Sequence, residues 1–188
     1  MWVYMLRSFG EYTMEENYMS DGMKQGKFDY IGEYREGLAF VRNNIKEFKV
    51  GFIDEAGNVV IPLDYYGRVT VDGRERLVHF PFFSEGLTAV MNADGKFGYI
   101  DRHNNTVVPF CYDDARPFTC GLAAVKKNGR YGFINSNGEE ILSLEYDWAG
   151  EFSELAPVRR GDKLGFVNKR GDIVVPFVIN YKDVYLSD

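Results

Sequence analysis

Two histidines and two cysteines in 188 residues leave little material for the commonest site chemistries. His79 and His103 stand far apart, so neither a histidine-rich metal centre nor a Ser-His-Asp triad is expected. Cys111 and Cys120 are nine residues apart and form no Cys-x-x-Cys pair. They read as inert free thiols, too few for a disulfide-built secreted scaffold. No stretch approaches the ~18 apolar residues that span a bilayer. Residues 1–7 carry a short apolar patch without the basic start and apolar core of a signal peptide. Basic residues are outnumbered, 22 against 28 acidic, for a net charge of -6. That balance opposes a protein that tracks phosphates with a concentrated basic face. A soluble cytoplasmic chain is expected, a removed signal peptide aside, with no nucleic-acid or membrane partner. Neither a Gly-rich phosphate loop, a Gly-x-Ser-x-Gly elbow nor a His-Glu-x-x-His run is present. No metal, cofactor or catalytic residue is expected.

What the chain does have is repetition. Apolar residues make up 45% and charged residues 27%, as in a globular protein, and 20 glycines against 6 prolines imply many turns. Four segments read alike: Tyr34-Arg-Glu-Gly-Leu-Ala-Phe-Val41, Phe83-Ser-Glu-Gly-Leu-Thr-Ala-Val90, Phe118-Thr-Cys-Gly-Leu-Ala-Ala-Val125 and Phe152-Ser-Glu-Leu-Ala-Pro-Val158. A second phrase follows each, at Gly51-Phe-Ile-Asp54, Gly98-Tyr-Ile-Asp101, Gly132-Phe-Ile-Asn135 and Gly165-Phe-Val-Asn168. A third closes the unit, at Val59-Val-Ile-Pro62, Val107-Val108-Pro109, Ile141-Leu142-Ser143 and Val174-Val175-Pro176. The glycines of the second phrase stand 47, 34 and 33 residues apart, a period of 33–34 with a longer first unit.

The spacing within a unit predicts strands. An apolar run ends at Asn128-Gly129, a favoured two-residue hairpin turn, and Asn137-Gly138 makes a second turn. Two tight turns per period leave room for three strands of about 5–6 residues and none for an average helix. The expected fold is all-β: three-stranded antiparallel meanders in tandem, stacked as an open array, with propeller-like closure as the alternative. The second-turn column holds Gly57, Asn104, Gly138 and Gly171, as a left-handed position would. Gly51, Gly98, Gly132 and Gly165 lie inside a strand, where glycine weakens pairing unless another group comes close. An aromatic ring over each is the expectation.

These phrases resemble the WG-repeat family, whose repeats occur in bacterial proteins. The matching residues are Glu85-Gly86-Leu87 with Ala89-Val90, Gly95-Lys96-Phe97-Gly98-Tyr99-Ile100-Asp101, and Val107-Val108-Pro109. The aromatic-glycine pair that names the family is matched by Phe97-Gly98 and Tyr131-Gly132, while Val50-Gly51 and Leu164-Gly165 depart from it. The resemblance covers residues 28–181. It implies a β-rich interaction module without a shared catalytic site.

The units span roughly 28–62, 77–109, 112–143 and 146–176. Residues 1–27 are read as an irregular N-terminal cap, with a short helix near 13–19, and 177–188 as a C-terminal cap, because each end unit must cover an apolar face. About twelve extra residues, 64–75, separate the first two units. Asp72-Gly73 between β-prone neighbours reads there as an added hairpin. Tyr65, Tyr66, Arg68, Arg74 and Arg76 give this insertion an aromatic and cationic character unlike the acidic whole. Tyrosine and arginine are enriched in binding hot spots, and insertions in repeat proteins gather on one face. These five residues are the candidate partner-binding site, against a plain solvated loop. Asp54, Asp101, Asn135 and Asn168 recur before a turn and read as turn residues, not acid–base pairs. Arg159-Arg160-Gly161-Asp162-Lys163 reads as a solvated hairpin tip. The expected function is non-enzymatic binding of a protein partner. A carbohydrate or small-ligand module using exposed aromatics is the alternative, and an enzyme with a site between units a distant third. Clustered exposed aromatics would favour sugar, and a flat apolar patch would favour protein.

Overall fold

The computed structural model describes residues 28–43, 49–66, 68–71, 74–77 and 81–185. The proposed N-terminal cap with its short helix, and His79, lie outside them. Unit one contains β1 (Tyr30–Ile31), β2 (Leu38–Asn43), β3 (Lys49–Asp54) and β4 (Val59–Tyr66). The insertion contributes β5 (Arg68–Val71) and β6 (Arg74–Leu77). Unit two holds β7 (Leu87–Met91), β8 (Phe97–Asp101) and β9 (Thr106–Tyr112). Unit three holds β10 (Asp114–Ala115), β11 (Ala123–Lys127), β12 (Arg130–Ile134) and β13 (Glu140–Tyr146). Unit four holds β14 (Trp148–Ala149), β15 (Ala156–Arg160), β16 (Lys163–Val167) and β17 (Ile173–Asn180), followed by α1 (Tyr181–Tyr185). The fold is all-β, and the tandem antiparallel meanders stand in the register that the repeats imply. Each meander of three long strands gains a two-residue strand on its inner side in units one, three and four (β1, β10, β14). Units one and two are joined into one sheet through the single pair Tyr66↔Met91. Among the described residues no helix is long and apolar enough to cross a membrane.

Both faces of the unit three sheet are apolar, because that sheet lies between two neighbours. On unit three, Ala115, Ala123, Val125 and Ile134 pack with unit two, while Leu122, Ala124, Tyr131, Phe133 and Leu142 pack with unit four. One aromatic pair recurs at every seam. Phe52 meets Phe83 with centroids 5.0 Å apart, Tyr99 meets Phe118 at 4.7 Å, and Phe133 meets Phe152 at 4.7 Å, all edge-on or tilted. Such offset geometry suits the ring quadrupole and adds about 0.5–1.5 kcal/mol per pair beyond burial. The aromatic of one unit's middle strand therefore keys into the lead phenylalanine of the next.

The strand-interior glycines answer to backbone more than to rings. A Cβ at Gly132 would lie 2.6 Å from the Leu142 carbonyl oxygen, and at Gly51 2.5 Å from that of Ile61. Gly98 and Gly165 face Val108 O at 2.7 Å and Val175 O at 2.9 Å. A ring comes next at two of the four, Phe110 at Gly98 and Phe177 at Gly165, while the three nearest atoms at Gly51 and Gly132 are all backbone. The cause is a bulge in the outer strand. Between Tyr131↔Tyr146 and Phe133↔Leu142 the outer strand advances four residues while the middle strand advances two. The same register shift stands in the other units. The extra backbone folds inward over the glycine, and Pro62, Pro109 and Pro176 occupy the bulge, where a missing N–H is tolerated.

The second turns are as expected. Gly57, Asn104, Gly138 and Gly171 have φ of 81°, 65°, 81° and 84°. Asp101 Oδ1 accepts the N–H groups of His103 and Asn105 at 2.9 and 2.8 Å, and Asn135 Oδ1 those of Asn137 and Glu139 at 3.0 Å each. A cross-turn pair completes each unit: Asn58 with Asp54, Asn105 with Asp101, Asn135 with Glu139 and Asn168 with Asp172. Amide and carboxylate exchange places between the first two units and the last two, which preserves the pair.

Candidate interaction surface

The two tyrosines of the candidate site end β4, beyond its bulge. Tyr65 lies opposite Val50 and Tyr66 opposite Lys49. The Tyr65 hydroxyl donates to Asn104 Oδ1 at 2.7 Å, and its ring stacks on Phe110 at 6.1 Å, so it ties unit one to unit two. Burial raises its phenol above the ordinary value, helped by the nearby Asp64 carboxylate. Tyr66 packs against the core between units two and three, with the Lys49 ammonium 5.6 Å from its ring centre. Both tyrosines are therefore partly committed to the scaffold. β5 and β6 of the insertion pair antiparallel, with Arg68 opposite Leu77, Arg76 opposite Val69 and Arg74 opposite Val71, while the expected Asp72-Gly73 turn lies outside the described residues. The three arginines thus share one small two-stranded sheet of their own.

A second surface escaped the reading of the sequence. Among the described residues, the large apolar side chains that stay exposed fall almost entirely on the outer strands. Val60, Val107, Ile141 and Val174 occupy equivalent positions, one per unit, and are exposed by 41%, 38%, 43% and 50%. Val59 and Ile173 flank this column in units one and four, and Val178 lies further along β17. These are apolar letters at the start of the third phrase in each unit. By contrast, Phe52, Phe83, Tyr99, Phe118 and Phe133 are fully buried, and Tyr30 is the aromatic among the exposed large apolar residues described.

The remaining polar candidates serve local structure. His103 is exposed on its turn, and Cys111 and Cys120 are unbridged. Asp147 ion-pairs with Arg130 and accepts the Gly161 N–H at 2.6 Å, so the lead-in aspartate holds a hairpin tip. Asp113 meets Lys96 at 2.6 Å. Unit three carries a half-buried polar cluster beside β10, where the Tyr131 hydroxyl donates to Asp114 at 2.6 Å and Arg116 stands 3.9 Å from the same carboxylate. Burial first, then Asp114, pushes the Tyr131 phenol far up, so it stays protonated.

The model of the WG containing repeat matches residues 25–46, 51–67, 97–131 and 131–163. No curated protein matches the chain in sequence. Among solved structures, KlHsv2 with its loop 6CD replaced by a Gly-Ser linker shares 12% identity at a TM-score of 0.50, over 75% of this chain and 49% of that one. The computationally designed Ika8 protein shares 10% identity at 0.41, over 77% and 60%. PorZ of Porphyromonas gingivalis, an essential surface component of the type-IX secretion system, shares 10% at 0.49, over 79% and 20%. The chain spans less than two thirds of each of these structures, and at 12% identity the likeness to KlHsv2 bears on fold alone.

Proposed function

The chain belongs to the family of WG-containing repeat proteins, and from that premise we propose that it is a non-catalytic binding module for a protein partner. The partner meets the outer side of the array and the hairpin that follows unit one. The observation that carries this reading is the division of apolar residues. Among the described residues, buried aromatics fill the seams between units, whereas the exposed large apolar residues are aliphatic apart from Tyr30 and recur in every unit. Sugar recognition draws on exposed rings, so this division favours a protein surface over a carbohydrate. The recurring carboxylates are engaged in turns and hairpin tips, which supports a scaffold over acid–base chemistry. A cytoplasmic setting, where thiols stay reduced, accords with two unbridged cysteines.

Affinity purification with mass spectrometry tests the reading. The intact chain is compared with one whose residues 68–77 are replaced by a short Gly-Ser link, and with Val107→Lys. Loss of a specific protein in either variant, with thermal unfolding unchanged, is expected. Capture unaffected by both changes would remove the reading.

A further inference from the structure

Among the four outer strands, β13 departs twice from its counterparts. It closes the sheet of unit three, paired with β12 on one side. Its bulge carries Ser143 where β4, β9 and β17 carry Pro62, Pro109 and Pro176. Since proline fits there three times, the sheet itself does not need an N–H at this position. Ser143 therefore keeps an N–H where the other three strands have none, on a strand that pairs on one side only among the described residues. Proline on an edge strand is a common guard against pairing with another chain, and in unit three that guard is missing.

The second departure is charge. β9 and β17 carry no charged residue, and β4 carries Asp64, whereas β13 displays Glu140 and Glu145 around exposed Ile141 and Ser143, with exposed Glu139 just before them. Like charges placed directly opposite on paired strands repel. A second β13 would be rejected by this pattern, and an extended segment bearing lysine or arginine would be accepted. The edge is thus guarded by sign in place of proline, which is selection by exclusion as much as by attraction.

We propose that β13 accepts, by strand addition, an extended segment of a partner protein in which basic residues alternate with aliphatic ones. Backbone bonds to the free edge supply the affinity, and Glu140 and Glu145 supply the choice of partner. Arg160 lies 2.7 Å from Glu145, so a basic residue of the incoming strand competes with it there and meets Glu140 directly. This inference rests on the binding-module reading and names the surface and partner chemistry within it.

The test uses the full chain and a labelled peptide, Lys-Val-Lys-Ile-Lys-Val, with Glu-Val-Glu-Ile-Glu-Val as its acidic twin. Fluorescence anisotropy measures binding, and amide hydrogen exchange locates it. The basic peptide is expected to bind, to slow exchange across residues 140–146, and to outcompete its acidic twin. Ser143→Pro, which restores the residue that the other three units tolerate, is expected to keep the thermal midpoint and weaken binding by at least about tenfold. Glu140→Lys is expected to narrow or reverse the preference between the peptides. No binding up to about 1 mM, equal binding of both peptides, or unchanged binding in Ser143→Pro overturns the proposal. Protection appearing at β9 or β17 in place of β13 also overturns it, while leaving the wider binding reading to the hairpin and Val107 variants.

Discussion

The Glu85 carboxylate of unit two accepts the N–H of Gly121 in unit three at 2.9 Å. One unit earlier, Glu36 takes the N–H of Gly86 at 3.1 Å and the Arg102 guanidinium at 2.7 Å. Both glutamates stand at positive φ, 52° and 55°, each followed by a glycine at about the mirror-turn geometry. The Glu-Gly pair is therefore turn and latch at once: its acid reaches forward one unit, and its glycine N–H receives the acid from one unit back. The ladder stops at unit three, where Cys120 replaces the glutamate. Unit four has lost the glycine, reading Ser153-Glu154-Leu155, and Lys169 donates instead to the Cys120 carbonyl.

Glu85→Gln should therefore destabilise the chain by ~0.5–1 kcal/mol, a charge-assisted bond discounted for its exposure. Glu154→Gln, at the position that has left the ladder, should stay within about 0.5 kcal/mol of the parent. Urea midpoints of the two variants decide the matter. Equal losses would mean that net charge, not the turn N–H, is what the glutamates provide.

Acid should weaken the fold in a defined window. Hydrogen bonds from the Asn58 and Asn105 side chains, then from backbone N–H groups, hold Asp54 and Asp101 below the ordinary carboxylate value. The Lys96 hydrogen bond does the same for Asp113. At Glu36 burial pushes the carboxyl up, but Arg102 and the Gly86 N–H outweigh it and leave it lowered. A carboxylate depressed in the folded state contributes stability above its unfolded value, 3.8 for aspartate and 4.5 for glutamate, which is lost as pH falls through the folded value. Stability should thus be flat above about pH 5 with respect to these groups and decline below about pH 4. In Asp101→Asn the acid limb should be shallower. A urea midpoint that rises on acidification would contradict this assignment.

The bulge gives a sharper prediction. In Gly132→Ala the new methyl would meet Leu142 O at 2.6 Å and the Ser143 carbonyl carbon and Leu144 nitrogen at 2.8 Å. Backbone cannot swing aside as a side chain can. The expected cost is about 3 kcal/mol, at the upper end of overpacking, seen as a large drop in thermal midpoint or loss of soluble protein. A midpoint within about 2 °C of the parent would mean that the outer strand relaxes freely.

Much of this architecture was legible because repetition exposes it: three phrases recurring in order located the strands, both turns and the interior glycines. Period alone could not tell which partner crowds Gly51, Gly98, Gly132 and Gly165. A two-residue bulge leaves no distinctive letter except its proline, so a ring was expected where backbone lies. The candidate site was legible as an irregularity and less so as a role. Tyr65 and Tyr66 looked like spare aromatics because the residues they touch, Asn104, Phe110 and Met91, belong to the next unit. Cross-unit contacts of that kind have no fixed sequence spacing. The exposed column from Val60 to Val174 was hidden for the opposite reason, since valine and isoleucine read as core until the strand is known to be an edge.

Asn104 is the one residue of its column that is not glycine, and the Tyr65 hydroxyl gives the reason. Asparagine tolerates the left-handed conformation and, unlike glycine, offers an acceptor to unit one. Tyr65→Phe removes the donor and Asn104→Gly the acceptor, and each should cost ~0.5–1.5 kcal/mol through the lost bond. Because both act through the same contact, the double variant should lose little more than either single one, with a coupling of about 1 kcal/mol in the cycle. Neither change alters the ring that stacks on Phe110, so partner capture through the hairpin should survive in Tyr65→Phe. Additive losses in the cycle would mean that the asparagine serves only its own turn. Loss of capture in a stable Tyr65→Phe chain would return the hydroxyl to the binding surface.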